Sequence, residues 1–200
     1  MQFHERKIMR PLRLVAVSGG LQQSSKSTVL AKHLLSLVAK AVPCDVRLIS
    51  IGQRVPQLAG TTFRTQLPSL LEQELAAVEQ ADILIVATPV FRGSYTGMFK
   101  HFFDFIKQDA LVDKPILLAA TGGSQRHALM IDHQLRPLFS FFQARTLPLG
   151  VYATDTDFAD GSLRNDALLE RAQLAVEKGL PMIELACRAT TCADLEAVAA

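Results

Sequence analysis

Apolar positions along the chain alternate between two periods. Leu12 to Val17 is a short run of strand formers, interrupted by Arg13 and closed by Ser18-Gly19-Gly20. From about Ser27 to Ala41, Val29, Leu30, Leu34, Leu37, Val38 and Ala41 share one broad helical face. Val46 to Ile51 reads as a second strand, and Arg54 to Pro68, with two prolines, as a loop. Ser69 is expected to cap a helix reaching about Gln80, with Glu72 completing a capping box. The run DILIVATPV from Asp82 is apolar almost throughout, as strands covered on both faces of a parallel sheet are. A helix is predicted over about Thr96 to Lys107, and another continuous apolar strand over Pro115 to Ala120. His127 to about Gln143 has helical spacing, with Pro137 expected to kink it or end it early. Thr146 to Ala153 is predicted as one fifth strand and Asp155 to Gly161 as a loop. A helix over Leu163 to about Leu185, broken near Gly179-Leu180-Pro181, closes the pattern.

Five strands alternating with five helical segments predict an α/β fold: a three-layer, doubly wound sandwich around a five-stranded parallel sheet. Of the common strand orders, the flavodoxin-like 2-1-3-4-5 fits five strands. Residues 1–11 read as an extension, 12–186 as a single domain and 187–200 as an Ala- and Thr-rich tail that frays.

Composition narrows the function classes. At 200 residues the chain suits one domain, and 21 basic against 19 acidic residues form no basic stripe, so nucleic acid is not an expected partner. Cys44, Cys187 and Cys192 form no C-x-x-C pair, which points to a reducing, cytoplasmic compartment rather than a disulfide framework. The short, Arg-broken apolar start is no secretion signal, and no apolar run approaches the length of a membrane span. The mean hydropathy of +0.21 suggests apolar surface covered by other subunits, and Phe139, Phe141 and Phe142 on two faces of a helix end point the same way.

In open α/β sheets ligands bind beyond the carboxyl ends of the strands. Three loops there combine glycine with hydroxyl residues: SGGLQQSSKST, TPVFRGSYTG and TGGSQRH. The first joins a strand to a helix N-terminus, where amides and helix dipole attract an anion, and Ser24, Ser25, Ser27, Thr28 and Lys26 add donors and a charge. The plain alternative is a serine-rich cap. Gly20-x4-Ser25-Lys26-Ser27 falls short of a P-loop, with Ser where the second Gly must let the backbone wrap a β-phosphate. No magnesium-holding Asp closes DILIVATPV, since Asp82 lies at its other end, and no G-x-G-x-x-G is present. A monophosphate therefore fits better than a di- or triphosphate. In the second loop Pro89 stiffens the strand exit, Gly93 permits close approach, Phe91 and Tyr95 offer flat surfaces and Arg92 a charge. In the third, Gly122, Gly123 and Ser124 offer consecutive amides to the polar edge of a heterocycle. Together the three describe a pocket for flavin mononucleotide (FMN). No G-x-S-x-G elbow argues for a hydrolase, and His127 and His133, six residues apart, do not make a metal site.

The segments TPVFRGSYTGMFKHFFDFI and ATGGSQRHALMIDHQLRPLFSFFQARTLPLGVYATDTDF resemble the NAD(P)H-dependent FMN reductases, nearest to the subgroup serving two-component alkanesulfonate and methanesulfonate monooxygenases. The resemblance covers roughly residues 12–180. It implies that the first loop holds the FMN phosphate with Ser18, Gly20, Gln22, Ser25, Lys26 and Ser27. Relatives often carry Arg where Gln22 stands, which shifts the phosphate's charge partner toward Lys26. Pro89, Val90, Phe91 and Arg92, with Ser94 and Tyr95 nearby, are implied to line the ring and ribityl chain, and Gly122, Gly123 and Ser124 the ring edge. Also implied are NADH or NADPH as hydride donor, a flavin-dependent monooxygenase as recipient of reduced FMN, a homotetramer or dimer, and a π-type turn at a subunit interface near His133. No residue is implied as catalytic acid or base. The rival readings are a quinone or azo reductase with tightly held FMN, and a flavodoxin-like electron carrier, which the net charge of +2 disfavours.

Overall fold

The computed structural model describes residues 10–22 and 24–199, with side chains described as far as Ala186. Its central sheet is wholly parallel. Strand β1 (Leu12–Ser18) is followed by helix α1 (Lys26–Ala41) and strand β2 (Cys44–Ser50). After a short helix α2 (Val55–Leu58) come α3 (Ser69–Gln80), β3 (Ile83–Pro89), α4 (Gly97–Asp104) and β4 (Pro115–Gly122). A π turn (Ile131–Leu135) leads into α5 (Arg136–Phe141), then β5 (Arg145–Thr146) and β6 (Val151–Thr154). A small hairpin, β7 (Phe158–Ala159) with β8 (Ser162–Leu163), precedes helix α6 (Asp166–Ala199). The order β2-β1-β3-β4-β5 is the expected one, with β6 also pairing with β4.

Alternation along the strands decides which helices cover which face. Val15, Val17, Leu84, Val86, Ile116 and Leu118 point into one core with α3, α4 and α5, through Leu71, Leu75, Phe99, Phe103 and Phe139. Leu14, Ala16, Ile83, Ile85, Leu117 and Ala119 point into the other with α1 and α6, through Leu30, Leu34, Val38, Ala172 and Ala175. Burial on both faces is why β3 and β4 read as continuous apolar runs.

Four expectations need correction. Ser69 is inside α3 rather than its cap; Pro68 precedes the helix, and Glu72 pairs with Arg64 instead of with the backbone. The stretch after Arg54 is not plain loop. Pro56 sits in the first turn of α2, where a missing N–H costs nothing, and the Gln66 side chain turns back onto the amides of Thr62 and Phe63 to form a second short turn. The fifth strand is two pieces. Both pair with β4, but Pro148 cannot donate between them, and a Cβ at Gly150 would lie 2.7 Å from Ile131 Cγ2. Finally, α6 runs through Gly179 and Pro181 without ending, and its backbone continues to Ala199 across the expected tail. Gly179 is buried against Leu147, leaving no room for a Cβ (2.4 Å).

Pro137 is accommodated differently from the expected kink. Its ring would crowd the carbonyl four residues back, that of His133. The chain widens there into the π turn, whose closing bond runs from the Arg136 amide to the Ile131 carbonyl. The π turn thus falls at His133, as the resemblance implies.

Candidate active site

The carboxyl ends of β1, β3 and β4 meet at one edge, in register from Ser18 opposite Ala87 to Pro89 opposite Thr121. The Gly19 amide donates to the Ala87 carbonyl (2.8 Å) and the Val90 amide to the Thr121 carbonyl (2.7 Å), so the three loops leave the sheet side by side. Thr96 ties the first to the second, donating from Oγ1 to the Gly19 carbonyl (3.1 Å) while accepting from the Phe99 amide as the cap of α4.

Between these loops lies a cleft of about 320 Å³. That size is at the lower end of small-molecule sites. The segment leading into α1 contributes Gln22, Ser24, Ser25 and Lys26 to its lining, and the turn after β4 contributes Thr121, Gly122 and Gly123. Asp155 lies between the two, 2.9 Å from Lys26 Nζ and 3.9 Å from where a Cβ on Gly123 would stand, and Leu21, Pro89, Val90 and Phe91 complete the lining.

Eight expected site residues therefore line the cleft: Gln22, Ser25, Lys26, Pro89, Val90, Phe91, Gly122 and Gly123. The others do not. Ser18 and Ser27 are fully buried beneath the first loop, where Ser18 Oγ lies 2.8 Å from Thr28 Oγ1 and Ser27 Oγ 2.7 Å from Ser25 Oγ. This hydroxyl chain pins the loop to α1. Gly20 serves the same end, since a Cβ there would stand 1.9 Å from Ser25 Oγ. Arg92 and Gly93, both at positive φ (53° and 85°), form the tip of a two-residue turn in which Phe91 and Ser94 exchange backbone hydrogen bonds. That turn carries Arg92 away from the lining and leaves the Phe91 ring half exposed. Ser94 Oγ donates to Gln134 Oε1 in the π turn (3.1 Å), Tyr95 packs against Phe99 with its ring tilted by 42°, and Ser124 contributes its carbonyl to Tyr152.

Ser24, expected as a donor of the first loop, and Thr121, the first residue of the third, also line the cleft, whereas Leu21 and Asp155 were not among the expected residues. Asp155 follows β6, whose carboxyl end opens at the same edge as β4, so strand order alone makes that loop a fourth candidate. Gly52 has no comparable signal. It lies beyond β2 and outside the cleft, yet a Cβ on it would come within 2.5 Å of the Gly20 carbonyl oxygen and 2.8 Å of Leu21. It is the seat on which the first loop rests.

Charge in the cleft is sparse and already paired. Lys26 Nζ is 2.9 Å from Asp155 Oδ1 and sits over the Phe158 ring, 5.8 Å from its centroid. Burial, helped by the Asp155 carboxylate, pushes the Tyr152 phenol above its ordinary value, so it stays a proton donor to Ser124. Asp82, at the far end of β3, is bound by Arg10 and Arg13, which takes it out of any role in the cleft. Among the described residues, no group of three metal-ligating side chains forms, and no helix is long and apolar enough to cross a membrane.

The donor set fits FMN: a cation with hydroxyls and helix amides for a phosphate, an apolar wall, and a glycine pair for the polar edge of a ring. Gly122 is required for that edge, because a Cβ there would lie 2.2 Å from Tyr152 Oη.

Residues 12–159 match the family described as NADPH-dependent FMN reductase. The chain is 53% identical over 173 residues to the NADH-dependent FMN reductase SfnF of Pseudomonas fluorescens, covering 86% of this chain and 92% of that protein. It is 48% identical over 172 residues to an FMN reductase (NADPH) of Pseudomonas aeruginosa, with the same coverage, 86% and 92%. An oxidoreductase from Corynebacterium diphtheriae superposes with a TM-score of 0.75 at 34% identity, covering 87% of this chain and 98% of that one. The chain belongs to the NADPH-dependent FMN reductase family.

Proposed function

We propose that this member of the family passes hydride from NADH or NADPH to FMN and gives up the reduced flavin to a partner monooxygenase, in the sulfonate-utilising setting that its sequence resemblance implies. The observation that carries this is that Ser24, Ser25 and Lys26, Pro89, Val90 and Phe91, and Gly122 and Gly123, from three separate loops, line one cleft. When bound, FMN supplies the hydride acceptor, which no amino-acid side chain can. Lys26 and the two serines hold the phosphate, the Gly122 and Gly123 amides orient the ring edge, and Val90 and Phe91 keep water from one face. The described lining contains two ionisable side chains, Lys26 and Asp155, and hydride transfer asks neither to move a proton. Fixing donor and acceptor in contact is then the protein's main contribution.

The same reading makes the chain a cytoplasmic homo-oligomer, a tetramer or a dimer. In its support, Leu129 and Phe141 flank the π turn with side chains more than three-fifths exposed, an apolar surface that another subunit would cover.

An anaerobic assay tests the activity. A catalytic amount of protein is mixed with excess FMN and NADH, or NADPH, and the visible band of oxidised flavin is followed. Loss of the whole flavin pool is expected, with the faster nicotinamide naming the donor. Loss of a stoichiometric fraction only would overturn flavin supply in favour of a bound-flavin quinone or azo reductase, or an electron carrier.

A further inference from the structure

We propose that Asp155 is a built-in competitor for the flavin phosphate: by occupying Lys26, it keeps FMN exchangeable. The inference rests on the FMN reading of the cleft and goes beyond it, assigning a role to a residue outside the three loops read as the flavin site.

Three observations lead there. Helix α1 has no acidic residue in its first turn, so its N-terminal partial charge is open to an anion. Lys26 and Asp155 are the only charged side chains among the described residues lining the cleft, and they are paired at 2.9 Å. The segment bearing Asp155 is held in place, because Asp157 Oδ2 accepts from the Thr154 amide (2.6 Å) and hydroxyl (2.8 Å) while its Oδ1 accepts from Asn165. The carboxylate is therefore delivered to Lys26 by anchored backbone.

An arriving phosphate must share or displace this partner, and the displaced carboxylate then faces a dianion. Both side chains are substantially exposed (44% for Lys26, 60% for Asp155), so the competition is screened and modest. Modest weakening is what a flavin-releasing enzyme requires. Affinity differences of this kind appear chiefly in the dissociation rate.

The opposite role is that Asp155 positions Lys26 for the phosphate, and the two differ in sign. Equilibrium binding of FMN and of riboflavin, which lacks the phosphate, is measured by flavin fluorescence for the apoprotein and for Asp155→Asn, with Asp155→Ser as a second variant. The expected result is FMN binding tightened about three- to tenfold, with riboflavin changed less than about twofold. The gain should shrink at high salt, and the variant should retain more FMN through gel filtration. Unchanged or weaker FMN binding by both variants, or equal tightening of riboflavin, overturns the role of Asp155 while leaving the FMN reading intact. Failure of the unaltered protein to bind FMN overturns both.

Discussion

The Tyr152 hydroxyl donates a 2.7 Å hydrogen bond to the Ser124 carbonyl, and the same oxygen would lie 2.2 Å from a Cβ on Gly122. One phenol thus fastens the turn after β4 and dictates glycine within it. Tyr152→Phe should lower stability by about 0.5–1.5 kcal/mol, the worth of one hydrogen bond. Gly122→Ala should cost more, about 1–3 kcal/mol, through overpacking. In the double variant the oxygen is gone and the nearest atoms to the new methyl are Tyr152 Cζ (3.2 Å) and Val90 Cγ2 (3.5 Å). Its loss should fall clearly short of the sum of the two, which urea denaturation of all four proteins will show.

Gly52→Ala should damage the phosphate end from a distance. The new methyl meets the Gly20 carbonyl oxygen and the Leu21 backbone, neither of which can rotate away. Displacing that loop should weaken FMN binding about tenfold while riboflavin binding changes far less, because the ring end of the cleft is untouched. Equilibrium titration with both flavins separates these outcomes.

Asp82 should shape the acid limb of the stability curve. Burial raises its carboxyl, but hydrogen bonds from Arg10 and Arg13 outweigh this and pull it down to about 2 from 3.8. The folded value lies below the unfolded one, so its stabilisation is complete above about pH 4 and is lost as pH falls toward 2. Asp82→Asn should flatten that limb of the stability curve, measured as urea midpoints against pH. Neutral-pH FMN binding should not change, since Asp82 is at the opposite end of β3 from the cleft.

Lys114 gives a pH dependence of the same sign on the alkaline side, for the opposite reason: its charged form is disfavoured by folding. It is 9% exposed and donates to the Val78 and Glu79 carbonyls at the end of α3. Burial lowers its ammonium from 10.5 to about 8. Between those values the unfolded chain binds the extra proton, so stability attributable to this group rises with pH across about 8 to 10.5. Lys114→Met should abolish that rise in the same denaturation series.

Much of the frame was legible in the chain because it rests on local periodicity. The apolar runs of β3 and β4, the helical stripe of α1 and the glycine- and serine-rich exits need only neighbours within a few residues to be recognised. Errors arose where a distant partner outbid a local motif. Ser69 and Glu72 form a sound capping pattern, but Glu72 meets Arg64 instead. Gly179-Leu180-Pro181 looks like a helix end, but Gly179 is held against Leu147, and packing carries the helix through. Ser18 and Ser27 look like phosphate donors, but their hydroxyls bond those of Thr28 and Ser25 beneath the loop.

The sequence by itself determined the alternating architecture, the strand order, the family and the edge of the sheet where the cleft opens, since these follow from periodicity and short motifs. Tertiary structure alone decided that Gly52 supports Gly20, that Tyr152 forbids a side chain at Gly122, and that Asp155 answers Lys26. Each joins residues distant along the chain across a gap of a few ångströms. Such proximity is set by how the layers pack, and it leaves no periodic trace in the sequence.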